Sequence, residues 1–233
     1  MNSNFERTLI VAAHPDDEIL GCGGLIKKLT KKNKKIKVIF LAEGSSCRFK
    51  IEDLHKLFVQ KEIKHREISA REALKVLGVK NFSFYNLKCG RLHNYPITEL
   101  AKIVENEIKN FKPTTIFTHS NDDVHLDHRT VFQTCLQATR PVNSQNFVKE
   151  LYSFEILSST EWKYNQVFEP NIFFNIDIEI KAKISALKKY KSELRPFPHP
   201  RSVEGVKSLS KYRGMQSGFK FAEAFKLIRS YKK

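Results

Sequence analysis

The chain has 233 residues, 41% of them apolar, and a formal charge of +16. That content suits one large domain over 1–233, with a looser C-terminal portion from about residue 141. No run of about 18 apolar residues and no signal-like N-terminus is present, which argues against a membrane span and for a cytoplasmic protein. In chain order, apolar runs at 8–13, 36–41, 82–85 and 114–118 predict buried strands, each followed by helical periodicity at about 18–32, 52–77, 97–110 and 128–139. This alternation predicts an α/β fold, a mostly parallel sheet with helices on both faces, with ligands at the carboxyl ends of the strands. Beyond Arg140-Pro141, 151–154 and 171–174 suggest strands and 178–192 a helix. Residues 195–202 form a Pro-rich loop, and 203–230 a final helical region interrupted by Gly214 and Gly218.

The chemistry concentrates at His14-Pro15-Asp16-Asp17-Glu18, directly after the first strand. Three carboxylates at the end of a core strand repel one another unless a cation draws their charge. Pro15 suits the first turn of a helix, making this a strand-to-helix corner. His14 and Asp17 then project together while Asp16 points elsewhere. Two ligands hold a divalent ion weakly, and a catalytic centre needs three with a position left open to water, so another strand end should supply more. The loop after 114–118 runs His119-Ser120-Asn121-Asp122-Asp123-Val124-His125-Leu126-Asp127-His128. His125 and His128 flank Asp127, the spacing of a ligand, a second imidazole and a carboxylate able to orient one of them. Either loop alone could be a surface turn with Asp caps; the two at one sheet edge make a site. Glu18 either supports that site or favours the positive helix N-terminus, and Asp122 and Asp123 suit loop caps. Gly21-Cys22-Gly23-Gly24 lacks G-x-G-x-x-G spacing, and the adjacent carboxylates would repel a pyrophosphate. These glycines therefore point to close helix-sheet packing.

Ala13-His14-Pro15-Asp16-Asp17-Glu18 and the later His125-Leu126-Asp127-His128 resemble the motifs of the PIG-L/LmbE-like metal-dependent de-N-acetylases. Softer matches run from Arg66 to Gly78 and over Ala222-Glu223-Ala224-Phe225. The resemblance implies a Rossmann-like, LmbE-like sheet carrying a zinc-type N-deacetylase, a hydrolase of linear amide C–N bonds. Such an enzyme removes acetyl from an N-acetylated amino sugar that is free, nucleotide-linked or lipid/glycan-linked, releasing acetate and an amine. It further implies His14, Asp17 and His128 as ligands of Zn2+, or of Fe2+, Co2+ or Mn2+, and Asp16 as general base. Protonated His125 would stabilise the oxyanion, with Asp127 holding its ring, and Arg66 would reach the sugar or its acetyl group.

Arg91 and His93 follow the 82–85 strand at the expected sheet edge, and His199 and Arg201 lie in a loop stiff enough to act as a lid reading anions. Trp162 suits a core position better than a sugar-stacking one. Similarity to surface-polysaccharide and nucleotide-sugar members, with the basic surface, implies a phosphate-bearing small-molecule substrate. The lysines, as in Lys31-Lys32 and Lys188-Lys189, are scattered in the manner of a solvated surface, so nucleic acid is not expected as a partner. Cys22, Cys47, Cys89 and Cys135 form no C-x-x-C pair and should be reduced thiols. Oligomeric state stays open, a homo-oligomer included. The competing readings are a metal-dependent amidase for a non-sugar amide and, less favoured by the acidic pocket, a polyanion-binding protein without catalysis.

Overall fold

The computed structural model describes residues 5–141 and 148–232. Strands β1 (Arg7–Ala12), β2 (Lys35–Ala42), β3 (Asn81–Leu87), β4 (Thr115–His119) and β5 (Glu150–Phe154) are parallel neighbours in the order β3-β2-β1-β4-β5. The sheet continues through β7 (Ala222–Ser230) to β6 (Ile172–Asn175), both pairings of β7 being antiparallel. Helices α1 (Asp17–Lys31), α2 (Leu57–Leu77), α3 (Ile97–Phe111), α4 (Leu126–Ala138), α5 (Ile180–Leu187) and α6 (Val203–Ser217) complete the fold. The mostly parallel α/β sheet expected from the alternating pattern is present.

Strand period two divides the core cleanly. From β1, Ile10 and Ala12 face one layer with Leu25 of α1, Leu74 of α2 and Ile184 of α5. Leu9, Val11 and Ala13 face the other, with Val104 and Ile108 of α3 and Val131 of α4. Burial on both faces explains why β1 is a continuous apolar run rather than an alternating one.

The glycines of α1 have a packing role. A Cβ on Gly21 would lie 2.4 Å from Cδ2 of the fully buried Phe154, and one on Gly24 would lie 2.7 Å from Ile176. Gly→Ala inside a helix ordinarily gains about 0.5–1 kcal/mol, but overpacking a rigid core costs roughly 1–3 kcal/mol. Gly21→Ala should therefore lower unfolding free energy in urea, and an increase would show that Phe154 has room to move.

Two boundaries and one element differ from expectation. Helix α2 starts at Leu57, because 51–53 close a separate 3-10 turn, and α5 ends at Leu187 rather than near 192. The larger correction concerns 203–230: α6 stops at Ser217, where Gly218 takes φ +75, and the chain returns as strand β7. The apolar residues Phe221, Ala222, Phe225 and Ile228 fit a helical stripe as well as a strand. What decides is the slot between β5 and β6, whose backbone groups β7 satisfies on both sides. Among the described residues no helix is long and apolar enough to cross a membrane.

Candidate active site

Strand β1 pairs with β2 on one side and β4 on the other, so the crevice beyond their carboxyl ends is a topological switch point. The His14–Glu18 corner leaves β1 there, and the His119–His128 loop leaves β4 beside it. Pro15 stands just before the helix. Asp16 is its N-cap residue, with φ +118, a conformation that is strained for a non-glycine side chain. Glu18 holds it in place: Oε2 accepts the Asp16 amide hydrogen at 2.9 Å, while Oε1 accepts from the buried Tyr190 hydroxyl at 2.5 Å. Burial pushes the Glu18 carboxyl up to about 8 despite these two donors. Glu18 thus supports the corner from behind.

His14, Asp17 and His128 bring one ligand atom each within 4.8 Å of one another, all buried. Asp17 Oδ2 lies 3.4 Å from His14 Nδ1 and 3.5 Å from His128 Nε2. The other nitrogen of each ring is tied to a carboxylate. His14 Nε2 sits 2.9 Å from Asp127 Oδ2, and His128 Nδ1 sits 2.9 Å from Asp123 Oδ2. Asp123 is held in turn by Ser159, Thr160 and the His125 amide, so it both caps the loop and orients His128.

Several polar atoms of the cluster are unsatisfied, both Asp16 carboxylate oxygens among them. Asp17 Oδ1 and His128 Nε2 are buried without a hydrogen-bond partner. Burial works against charge on His128, yet Asp17 and Asp123 on either side hold its pKa up to about 10. Asp17 stays well below the usual carboxylate range: burial opposes its charge, and His128 and His119 outweigh that. Two imidazoles and a carboxylate that converge here with polar atoms unsatisfied suit a divalent cation. Imidazoles backed by carboxylates are the usual supports of such an ion.

Asp16 faces a different set of groups. Arg66 NH2 lies 3.0 Å from its Oδ1 and Arg201 NH1 3.5 Å from its Oδ2. Both arginines also pair with Glu193, at 2.6 and 3.2 Å, and Arg48 joins it at 2.6 Å. Burial raises the Asp16 pKa more than Arg66 and Arg201 lower it, whereas at Glu193 the three arginines overcome burial and hold the carboxyl at about 2. Arg66 is buried and also donates to the Pro15 carbonyl at 2.9 Å. Such an approach needs Gly44, with φ +83, since a Cβ there would lie 2.7 Å from the Arg66 Nε.

His125 is the N-cap of α4. Its Nδ1 accepts the Asp127 amide hydrogen at 3.2 Å, which leaves the ring proton on Nε2. Burial, with His128 and His14 nearby, depresses its pKa to about 4, which favours a neutral ring over the protonated one expected. Asp127 does not hold His125 through its carboxylate, contrary to expectation. That group accepts from the Gly90 and Leu92 amides, at 2.6 and 3.0 Å, and supports His14 instead. The helical turn from 125 to 128 carries the Asp127 side chain away from its sequence neighbour and toward the β1 corner.

Of the remaining expected site residues, Arg91 and His93 form no hydrogen bond or ion pair with the cluster among the described residues, while His199 is tied to Arg201, which reaches Asp16. Arg91 bonds the Cys89 carbonyl at 3.4 Å on the wall that holds Asp127, and His93 is exposed. His199 Nδ1 accepts the Arg201 amide hydrogen at 3.0 Å, and Arg201 Nε donates to Ser158 Oγ at 3.0 Å. Trp162 is 48% exposed, not a core residue, because its 3-10 turn lies at the surface with Phe197 and Tyr212 beside it. Arg48, Glu193, Tyr190 and Gly44 went unseen in the sequence, and His119 figures there only as the start of its loop. His119 is fully buried, accepts the Ala13 amide hydrogen on Nε2 at 2.8 Å and stacks on His128 at 4.0 Å between ring centres. Its place as the last residue of a core strand was the only available signal.

Sheet and cluster together define an α/β protein with a candidate hydrolytic metal centre at its switch point. Residues 9–139, which carry both motifs, match the PIG-L family model, described as GlcNAc-PI de-N-acetylase. The chain is 30% identical over 189 residues to the uncharacterized deacetylase YaiS of Escherichia coli K12, covering 79% of this chain and 90% of that protein. It therefore belongs to the PIG-L family of deacetylases. It is also 22% identical over 231 residues to the diacetylchitobiose deacetylase of Thermococcus kodakarensis, covering 97% and 84% of the two chains. Among solved structures, N,N'-diacetylchitobiose deacetylase from Pyrococcus horikoshii superposes with a TM-score of 0.78 at 19% identity, covering 96% of this chain and 84% of that one.

Proposed function

We propose that this protein is a metal-dependent N-deacetylase that hydrolyses the acetamide of an amino sugar to acetate and a free amine. The observation that carries the reading is the convergence of ligand atoms of His14, Asp17 and His128, with Asp17 Oδ1 and His128 Nε2 unsatisfied, beside an arginine-paired Asp16. The two sugar-deacetylating relatives support the substrate class. His14, Asp17 and His128 would hold the ion, and Zn2+, Fe2+, Co2+ and Mn2+ all suit two imidazoles and a carboxylate. Such an ion supplies Lewis acidity and makes water a nucleophile near neutral pH.

The protein's own residues do the rest. Asp16 takes the proton of the attacking water, with Arg66 and Arg201 fixing its carboxylate. His125 presents its Nε2 hydrogen, uncharged, to the carbonyl oxygen as negative charge develops there. Asp16 then returns its proton to the departing amine. Arg91, His199 and Arg201 are assigned to the substrate, Arg201 from its place beside Asp16.

Acetate release from free, nucleotide-linked and oligomeric N-acetylglucosamine, with and without a chelator, tests the reading. Chelation should abolish release and Zn2+ should restore it. Turnover that survives chelation, or that is confined to non-sugar acetamides, would overturn it. A nucleotide-linked preference would support a phosphate-bearing substrate. Asp127→Asn should weaken Zn2+ binding by roughly tenfold in calorimetry, since a carboxylate behind a ligating histidine has that order of effect. Unchanged affinity would mean that the Asp127 to His14 contact does not tune the ligand.

A further inference from the structure

Two thiols stand beside this site, and the Sγ of one, Cys89, lies within 4.8 Å of ligand atoms of His14 and Asp127. Cys47 lies in a 3-10 turn after β2 and Cys89 in the loop after β3, and their sulfurs are 3.1 Å apart. Cys47 is exposed and Cys89 is 2% exposed, so one sulfur meets solvent and the other waits behind it. Glu43 fixes both loops: Oε2 accepts the Ser45 and Ser46 amide hydrogens, and Oε1 accepts that of Cys89. Nothing separates the two segments, since a Cβ on Gly90 would lie 2.9 Å from that of Cys47. The hydrogen bond from Cys89 also draws the Cys47 thiol down to about 6. Cys22 and Cys135, by contrast, are fully buried away from this pair.

We propose that Cys47 and Cys89 are an oxidisable pair, converted by hydroperoxides to a reversible disulfide that loosens the adjoining metal site. The Cys47 sulfur attacks the hydroperoxide; the O–O bond breaks, an alcohol or water leaves, and a sulfenic acid remains. The Cys89 sulfur then attacks Cys47, the S–O bond breaks and water departs as the S–S bond forms. Two thiols lose two hydrogens while the peroxide is reduced by the same two electrons.

The coupling to the site is geometric. A disulfide needs about 2.05 Å between sulfurs, so closing from 3.1 Å pulls Cys89 toward Cys47. Next in the chain are Gly90 and Leu92, whose amides clamp the Asp127 carboxylate behind His14. Displacing that clamp disturbs the orientation of His14.

The full-length protein treated with stoichiometric hydrogen peroxide, then denatured and titrated, should fall from four free thiols to two. Peptide mapping should link Cys47 to Cys89. Cys47→Ser should abolish the link, while Cys89→Ser should stop at a sulfenic acid on Cys47 that dimedone traps. Zn2+ should bind the oxidised protein about tenfold more weakly in calorimetry and regain its affinity after a phosphine reductant. Four persisting thiols, or over-oxidation of Cys47 with Cys89 still free, would overturn the pairing. A disulfide with unchanged Zn2+ affinity would overturn the coupling. The thiol readouts need neither metal nor substrate, whereas the Zn2+ readout rests on the proposed metal site, so failure of the pairing and failure of that reading are distinguishable.

Discussion

Asp16→Asn is expected to lower kcat for acetate release by about a thousandfold, the order that a general base contributes, with Zn2+ content unchanged. Asparagine has nearly the same shape and is among the few residues that tolerate positive φ, so the corner at φ +118 should survive. The substitution removes the charge that Arg66 and Arg201 share, but both arginines keep Glu193. The ligand cluster of His14, Asp17 and His128 is untouched. The pH profile gives a second readout. The reaction needs the unprotonated carboxylate, and burial raises the Asp16 pKa against the pull of Arg66 and Arg201. Activity should therefore fall as pH drops through a value above the ordinary aspartate range, and that acid limb should vanish in the variant. A variant that keeps its metal and stays within tenfold of the parent rate would show that another group takes the proton.

How much of this was legible in the sequence depends on where the information sits. His14 to Glu18 and His125 to His128 could be found because each packs several ionisable groups into one turn after an apolar strand, a combination that packing alone does not explain. Glu193, Tyr190 and Gly44 could not. Each is a single residue, Gly44 just past β2 and the other two far along the chain, and each becomes meaningful only once the fold brings α2 and the segment after α5 over the β1 corner. Asp127 was assigned the wrong partner for a related reason: adjacency along the chain favoured His125, whereas the N-terminal turn of α4 aims the carboxylate at His14. Trp162 shows the limit of composition, since a large aromatic residue is buried on average but a surface turn before a groove overrides the average.

Glu223→Ala should destabilise the protein by about 3–5 kcal/mol, the order found when one member of a buried ion pair is removed. Glu223 lies on β7, the strand that helical periodicity concealed. Its side chain crosses to α1, where Oε1 accepts the Gly24 amide hydrogen and Oε2 that of Leu25, each at 2.7 Å. Lys183 of α5 completes the arrangement, pairing with Glu223 at 2.6 Å and donating to the Leu20 carbonyl at 2.8 Å, with both side chains 3% exposed. A Cβ on Gly23 would lie 3.1 Å from Cγ of Lys183, so that glycine also leaves room for the lysine that pairs with Glu223. Truncation leaves the Lys183 ammonium in a site sealed from water with one carbonyl for company, and that uncompensated charge dominates the expected loss. Unfolding in urea measures it. Adding Lys183→Met to Glu223→Ala should recover a substantial part, because an apolar chain of similar length removes the stranded charge. A single-variant loss below about 1 kcal/mol, or no recovery in the double variant, would mean that the pair is not what fastens β7 to the helix. The same helix is capped by Asp16 and carries Asp17 and Glu18 on its first turn. Loss of the clamp should therefore also reduce Zn2+ affinity, linking the stability of the last strand to the chemistry of the first.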